Sequence, residues 1–216
     1  MNEIFSKVIE NLEKNNMKGY YAKDKNEALD IVKGLLSDGD LVGVGGSMSL
    51  FECGVIDHLR CGKYEFLDRY KENLSREEIN DIYRKSFYAD AYLCSSNAIT
   101  VNGDLYNVDG NSNRVAAICY GPKSVIMLVG KNKIVKNIDE AARRVKTIAS
   151  PKNCERLNLE TYCRLKGECV SFEKADSDIC EGCKGNARIC CSYVISSYQR
   201  VKDRIKVILI DDEIGY

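Results

Sequence analysis

The chain has 216 residues, and its 32 Lys and Arg are balanced by 32 Asp and Glu. That length is one domain, or one with an appendage, and can bury a core without staples. The composition, 44% apolar and 30% charged, excludes a disordered chain, and zero net charge argues against a broad nucleic-acid footprint or a polybasic membrane anchor.

Ile4, Phe5, Val8, Ile9 and Leu12 recur at helical spacing, so the first segment reads as an amphipathic helix docked on the body. A short strand is expected near Gly19–Ala22 and a helix through Ala28, Ile31, Val32 and Leu35. Leu41–Val44 is a buried strand running into Gly45-Gly46, followed by a helix over about 48–59. Glu65–Leu67 is a strand candidate. Ser75 with Glu78 forms a capping box for a helix reaching about Tyr88. Ala91–Cys94 is a strand, and Ala98–Val101 and Asp104–Val108 flank Asn102-Gly103 as a hairpin. Val115–Cys119 and Val125–Val129 read as strands. Asn137 caps a helix over 138–149 that Pro151 ends. The segment 154–191 is Cys-rich and weakly periodic, 192–201 suits a helix, and Val207–Ile210 is a closing strand. Strands alternating with helices give an α/β class with a mainly parallel sheet and flanking helices, organised as one domain over 1–216 with the Cys-rich stretch as an excursion.

Glu3, Glu10 and Glu13 interrupt the N-terminal segment, which lacks the apolar core of a signal peptide. The longest apolar stretch, near Val125–Val129, is far short of the roughly 20 residues of a membrane helix. The expected location is cytoplasmic, with neither a membrane nor a nucleic acid as partner. In a reducing compartment, eleven cysteines suggest metal or redox chemistry more than a disulfide framework. The single histidine, His58, excludes a site of several histidines, and any triad with a histidine has to run through it.

Three constellations carry chemistry. In Leu41-Val42-Gly43-Val44-Gly45-Gly46-Ser47 a strand meets a helix through a glycine turn. Its N–H groups suit an anion, and Ser49 with Glu52 equally suits a plain capped turn. No Lys-Ser/Thr follows as in a P-loop. Gly43 and Gly45 fit a dinucleotide fingerprint, but Met48 stands where its third glycine belongs, although Asp68 lies about where a ribose-binding acid would. The second constellation is polar: Asn97, then Asn107, Asp109, Gly110, Asn111, Ser112, Asn113 and Arg114 around the hairpin. Arg114 offers a fork for a carboxylate or phosphate, and Asp109 is the general-base candidate or a brace for the loop. Lys131-Asn132-Lys133 adds either anion contacts or a solvated turn. The third comprises Cys163, Cys169, Cys180, Cys183, Cys190 and Cys191, with Cys154 upstream. Cys180-x2-Cys183 is a natural chelating pair. Thiolates without histidine select zinc or an iron–sulfur cluster, and the spacing does not choose between them.

Gly43 to Glu52, Ser95 to Thr100, Asn107 to Ala117, Gly121-Pro122-Lys123 and Val129 to Val135, in this order, resemble the LUD-domain, or lactate-utilisation, family over nearly the whole chain. The resemblance implies a fold similar to sugar-phosphate isomerases and CoA transferases, with Gly45, Gly46 and Ser47 at the ligand-binding turn. It also implies a C-terminal Arg188-Ile189-Cys190 motif, with Cys163, Cys169, Cys183 and Cys190 as the shared cysteines. Cys180 and Cys191 are extras. CoA transferases form an acyl thioester on a glutamate beside a Gly turn. The comparable stretch here, Thr100-Val101-Asn102-Gly103, has no carboxylate, and Glu52 could substitute only from another element.

The expected function is metabolism or oxidation of a small hydroxy acid with iron–sulfur oxidoreductase partner subunits. Gly45, Gly46, Ser47, Asn97, Asn107, Asn113 and Arg114 are expected to hold a small anionic ligand, Asp109 and Glu52 to be catalytic, and Cys163, Cys169, Cys180, Cys183 and Cys190 to supply ligands for an iron–sulfur cluster, of 4Fe-4S type, or zinc. The alternatives are a stand-alone enzyme on a sugar phosphate or acyl-CoA, and a non-enzymatic metal-dependent sensor or scaffold.

Overall fold

The computed structural model describes residues 3–216. Among the described residues, ten strands form two sheets. The larger has six, all parallel, in the order β1 (Lys18–Ala22), β10 (Ile205–Ile210), β7 (Ser124–Gly130), β4 (Ala91–Cys94), β2 (Leu41–Val44), β3 (Glu65–Phe66). Its central strands are apolar at nearly every position, Lys206 and Ser124 excepted, because both faces are covered. Ile126, Leu128, Ile208 and Ile210 pack on one face with Leu50 and Val55, while Val125, Met127, Val129, Val207 and Leu209 pack on the other with Phe5, Val8 and Leu12. That strict alternation is the two-residue period of a strand. The last strand, β10, lies inside the sheet between β1 and β7 rather than at its edge.

The N-terminal helix α1 (Glu3–Lys14) buries Phe5, Val8 and Leu12 as its spacing dictates, and Ile4 faces solvent. Asp24 caps α2 (Lys25–Leu35) by accepting from the N–H groups of Asn26 and Glu27. The helix expected over 48–59 is two short ones, α3 (Met48–Glu52) and α4 (Val55–Leu59). Gly54 breaks it with φ of +68°, a left-handed conformation that glycine adopts at little cost. The Ser75–Glu78 capping box is present, opening α5 (Arg76–Lys85).

The Asn102-Gly103 hairpin joins β5 (Ala98–Thr100) to β6 (Leu105–Asp109), and these belong to a second sheet in the order β8 (Ile134–Val135), β5, β6, β9 (Ser192–Ser196). Two expected elements change type here. The segment Val115–Cys119 is not a strand but part of helix α6 (Asn113–Cys119). An apolar run this short carries no decisive period, and the Asp109 carboxylate decides it by accepting from the N–H groups of Arg114 and Val115 at the helix start. The segment 192–201 is not helical. Its first half is β9, an antiparallel partner of β6, where Tyr193, Val194 and Ile195 suit a pleated edge.

Pro151 does not end the helix that Asn137 caps. The chain runs from α7 (Ile138–Arg144) through a π-helical turn at 145–149 into α8 (Ser150–Arg156), with Pro151 in the first turn of α8. A widened turn accommodates a ring that would clash with the carbonyl four residues back and lacks an N–H. The Cys-rich stretch adds one short helix, α9 (Tyr162–Lys166), a 3-10 turn at Val170–Glu173 and otherwise irregular chain. Among the described residues, no helix is long and apolar enough to cross a membrane.

Candidate functional site

A polar cleft of about 90 Å³ opens at the carboxyl ends of β2, β4 and β7. Crevices at strand carboxyl ends are where open parallel sheets place ligands. The floor comes from Gly46, Ser47 and Met48 after β2, from Ser95, Ser96 and Asn97 after β4, and from Lys133 after β7. Asp109 and Gly110 at the end of β6 form a second wall. The third is one face of the continuous helix: Val145, Ala149, Ser150, Asn153 and Arg156. Tyr216 closes the rim, with its hydroxyl 3.1 Å from Asn153 Oδ1 and 2.6 Å from Arg156 Nε.

Arg114 lies beneath this cleft and is only 6% exposed. All four of its terminal N–H groups donate within the protein. Nη1 reaches Ser95 O at 3.0 Å and Asn107 Oδ1 at 2.7 Å, and Nη2 reaches Asn97 Oδ1 and Val108 O, each at 2.8 Å. Nε stands 3.4 Å from Asp109 Oδ1. The guanidinium therefore ties the ends of β4 and β6 together and has no free fork for a ligand. Gly45 makes room for it: a Cβ there would lie 3.0 Å from Arg114 Cδ and 3.1 Å from Cys94 Cβ. Asp109 is similarly committed, because its Oδ2 takes the N–H groups of Arg114 and Val115 at 2.9 and 3.2 Å. It lines the cleft as a brace.

The side chain with open chemistry is Lys133, one member of the basic run read as either anion contacts or a solvated turn. It is 2% exposed. Its Nζ donates to Ser49 Oγ and Ser95 Oγ, each at 3.0 Å, and forms no ion pair with any carboxylate among the described residues. Burial, together with the nearby Arg144 and Arg114 guanidiniums, lowers the amine from its ordinary 10.5 to about 7. Arg144, itself lowered to about 10 by burial, braces the same corner through Asn132 O and Asn97 O. Ser47 Oγ is buried at the cleft without a hydrogen-bond partner.

The expected site residues divide as follows. Gly46, Ser47, Asn97, Asp109 and Arg114 line the cleft, whereas Gly45 and Asn107 sit behind it supporting Arg114. Asn113 lines an adjoining outer chamber of about 370 Å³ with Arg69 and Arg156. Glu52 is not brought to the cleft. It is exposed, and its carboxylate takes the N–H of Gly215 at 3.1–3.2 Å.

Behind the cleft lies a smaller, largely apolar cavity of about 20 Å³, lined by Cys154, Cys163, Cys169, Cys183 and Cys190. Cys180 is exposed and does not line it, so the cavity has Cys154 in the place expected of Cys180. The sulfurs of Cys154 and Cys163 are 3.8 Å apart, and this contact lowers Cys163 to about 6 while holding Cys154 protonated. Burial raises Cys190 to about 11. Ser150, on the cleft wall, also lines this cavity, with Oγ 3.0 Å from Cys190 Sγ. Five sulfurs suit a thiolate-bound metal in donor chemistry. Among the described residues, however, no three His, Cys, Asp or Glu groups stand close enough to share one ion. Tetrahedral zinc, with Zn–S near 2.3 Å, needs all of its sulfurs about 3.8 Å apart.

The family model for the LUD domain matches residues 5–210. No curated protein matches the chain. A solved DUF162 family protein from Deinococcus radiodurans is similar over 96% of both chains at 15% identity, with a TM-score of 0.52. Weaker likenesses are to eIF2B beta and eIF2B delta from Chaetomium thermophilum, at 17% and 19% identity and TM-scores of 0.36 and 0.35. They cover 52% of this chain in each case, and 43% and 48% of theirs. With its family model spanning both sheets, this chain belongs to the LUD-domain family.

Proposed function

We propose that this lactate-utilisation-type protein binds a small 2-hydroxy or 2-oxo acid as its carboxylate in the inner cleft, and acts with redox partner subunits in oxidising that acid. The observation that carries this reading is Lys133, a buried amine without a carboxylate partner. Burying an unpaired ammonium is costly, and an arriving anion relieves the cost. Asp109 is the acidic residue of the lining, and it is already committed to Arg114. The unpartnered Ser47 hydroxyl supplies another donor at the same floor. A cleft of about 90 Å³ with mostly polar walls suits a molecule of few heavy atoms.

The second part of the proposal concerns the cysteine cavity. Four of Cys154, Cys163, Cys169, Cys183 and Cys190 would hold an iron–sulfur cluster, with cytoplasmic conditions keeping the thiols reduced. Such a cluster supplies one-electron transfer. The chain's own contribution is to exclude water by the apolar lining and to set Ser150 between cavity and cleft, which supports a link between the two.

A thermal-unfolding screen tests the ligand class. The protein is heated with lactate, pyruvate, glycerate, a sugar phosphate and an acyl-CoA in separate samples. Stabilisation by the small acids is expected. Stabilisation by the sugar phosphate or acyl-CoA alone would replace this reading with one centred on the outer chamber, where Arg69 and Arg156 suit a longer anionic ligand. Iron and sulfide content after anaerobic purification tests the cluster, and metal-free reduced thiols would reject it.

A further inference from the structure

We propose that Lys133 is a catalytic amine that condenses with the carbonyl of a 2-oxo acid to form an imine. The inference rests on the small-acid reading of the cleft and deepens it by assigning the covalent step and its residue.

The geometry at Nζ carries the argument. An amine nitrogen has four directions, one of which goes to Cε. Two N–H groups of Lys133 are fixed by Ser49 Oγ and Ser95 Oγ, each at 3.0 Å. The fourth direction has no acceptor among the described residues. On the ammonium it carries a hydrogen, and on the neutral amine a lone pair. The two serines thus orient the nucleophile, and Lys133 itself lines the cleft. A lysine held for its charge is ordinarily paired with a carboxylate, whereas one that serves as a nucleophile is desolvated and set beside other cations. Lys133 has the second environment, with Arg114 and Arg144 acting on it and its neutral form accessible near pH 7. Asp109 cannot serve as the cleft's free base, because both of its oxygens face the Arg114 guanidinium or α6 N–H groups.

In the step itself, the Nζ lone pair attacks the carbonyl carbon and the C–N bond forms. The carbonyl oxygen then leaves as water, taking both amine hydrogens, and the C=N bond remains. The Ser49 and Ser95 hydroxyls stand where those hydrogens must pass. No oxidant or reductant is consumed, and hydrolysis reverses the step. The carboxylate of the acid remains free to accept from the Ser47 hydroxyl.

The test incubates the purified protein with pyruvate, adds borohydride to reduce any imine, and maps peptides by mass spectrometry. The expected result is a gain on Lys133 equal to pyruvic acid less one oxygen atom, absent when borohydride is omitted. The Lys133→Arg variant keeps the positive charge but lacks the amine, and should show no trapping at that position. Because the adduct is located in the wild-type protein, the result does not depend on how well the variant folds. A parallel calorimetric titration separates the two claims. Pyruvate that binds saturably but is trapped nowhere, or only on exposed lysines, overturns the imine and leaves the cleft reading intact. Absence of binding by both lactate and pyruvate overturns the cleft reading and the imine with it.

Discussion

Replacing Lys133 by Met removes a buried amine and keeps much of its apolar stem. In the folded protein this amine titrates at about 7, and burial is the largest cause. In the unfolded chain it titrates at its ordinary 10.5. The folded value is the lower one, so between the two values the unfolded state binds more protons and stability rises with pH. The penalty of burying the ammonium is present in full below about 7 and is relieved as the pH climbs toward 10.5. At 1.36 kcal/mol per pH unit, the wild type should gain roughly 4 kcal/mol relative to Lys133→Met between pH 6.5 and pH 10. The substitution also leaves Ser49 and Ser95 without their donor, at about 1–3 kcal/mol. That cost is independent of pH and cancels in the comparison. Arg144, Arg114, Glu52 and Cys53 act on the amine, and all remain in the variant. The assay is urea unfolding of both proteins at several pH values, each compared at the same pH. A stability difference that stays flat from pH 6.5 to pH 10 would refute the reasoning, because Lys133 would then titrate as an ordinary lysine.

Arg114→Ala should destabilise the protein by about 3–5 kcal/mol in urea unfolding, because Asp109 loses its cation and four acceptors lose their donors. Gly45→Ala should cost about 1–3 kcal/mol, since its Cβ would press on Arg114 and Cys94 at 3.0–3.1 Å, and calorimetric melting would show an unchanged Tm if that contact relaxes freely. For the cysteines, Cys183→Ser should lower the iron bound after anaerobic purification whereas Cys180→Ser should not, because only Cys183 lines the cavity. Equal losses in the two variants would reject the assignment.

The parallel sheet was legible because its inner strands, buried on both faces, read as nearly unbroken apolar runs, and most strand signals alternate with helix signals along the chain. The glycine turn was legible for a related reason: Gly45 and Gly46 follow such a run directly, and the turn sits at the carboxyl end of β2. The errors fell where partners outside the segment itself decide. Val115–Cys119 becomes a helix through the carboxylate of Asp109, and 192–196 becomes a strand because β6 offers it an edge. Asn97, Asp109 and Arg114 of the polar block do meet the glycine turn at the cleft, but the roles within the block could not be read from sequence. Nothing local reveals that Arg114 would find four acceptors inside the protein. Lys133 was visible only as part of a basic run, and the strand before it was the available signal, since a lysine three residues after a largely buried strand starts close to the sheet's carboxyl end. The participation of Tyr216 depends on a contact with Asn153, 63 positions earlier, which no local pattern encodes.

The account stands most directly on whether the cleft over Lys133 takes a small carboxylate. Calorimetric titration of lactate into the wild type and into Lys133→Met, at one pH near 7 and in two buffers of different ionisation enthalpy, measures this. The account predicts saturable binding, proton uptake on binding because the anion favours the ammonium, and at least about tenfold weaker binding in the variant, the equivalent of one charge-assisted contact of roughly 1.4 kcal/mol or more. Equal affinity in the two proteins, or no saturable heat in the wild type, would contradict it.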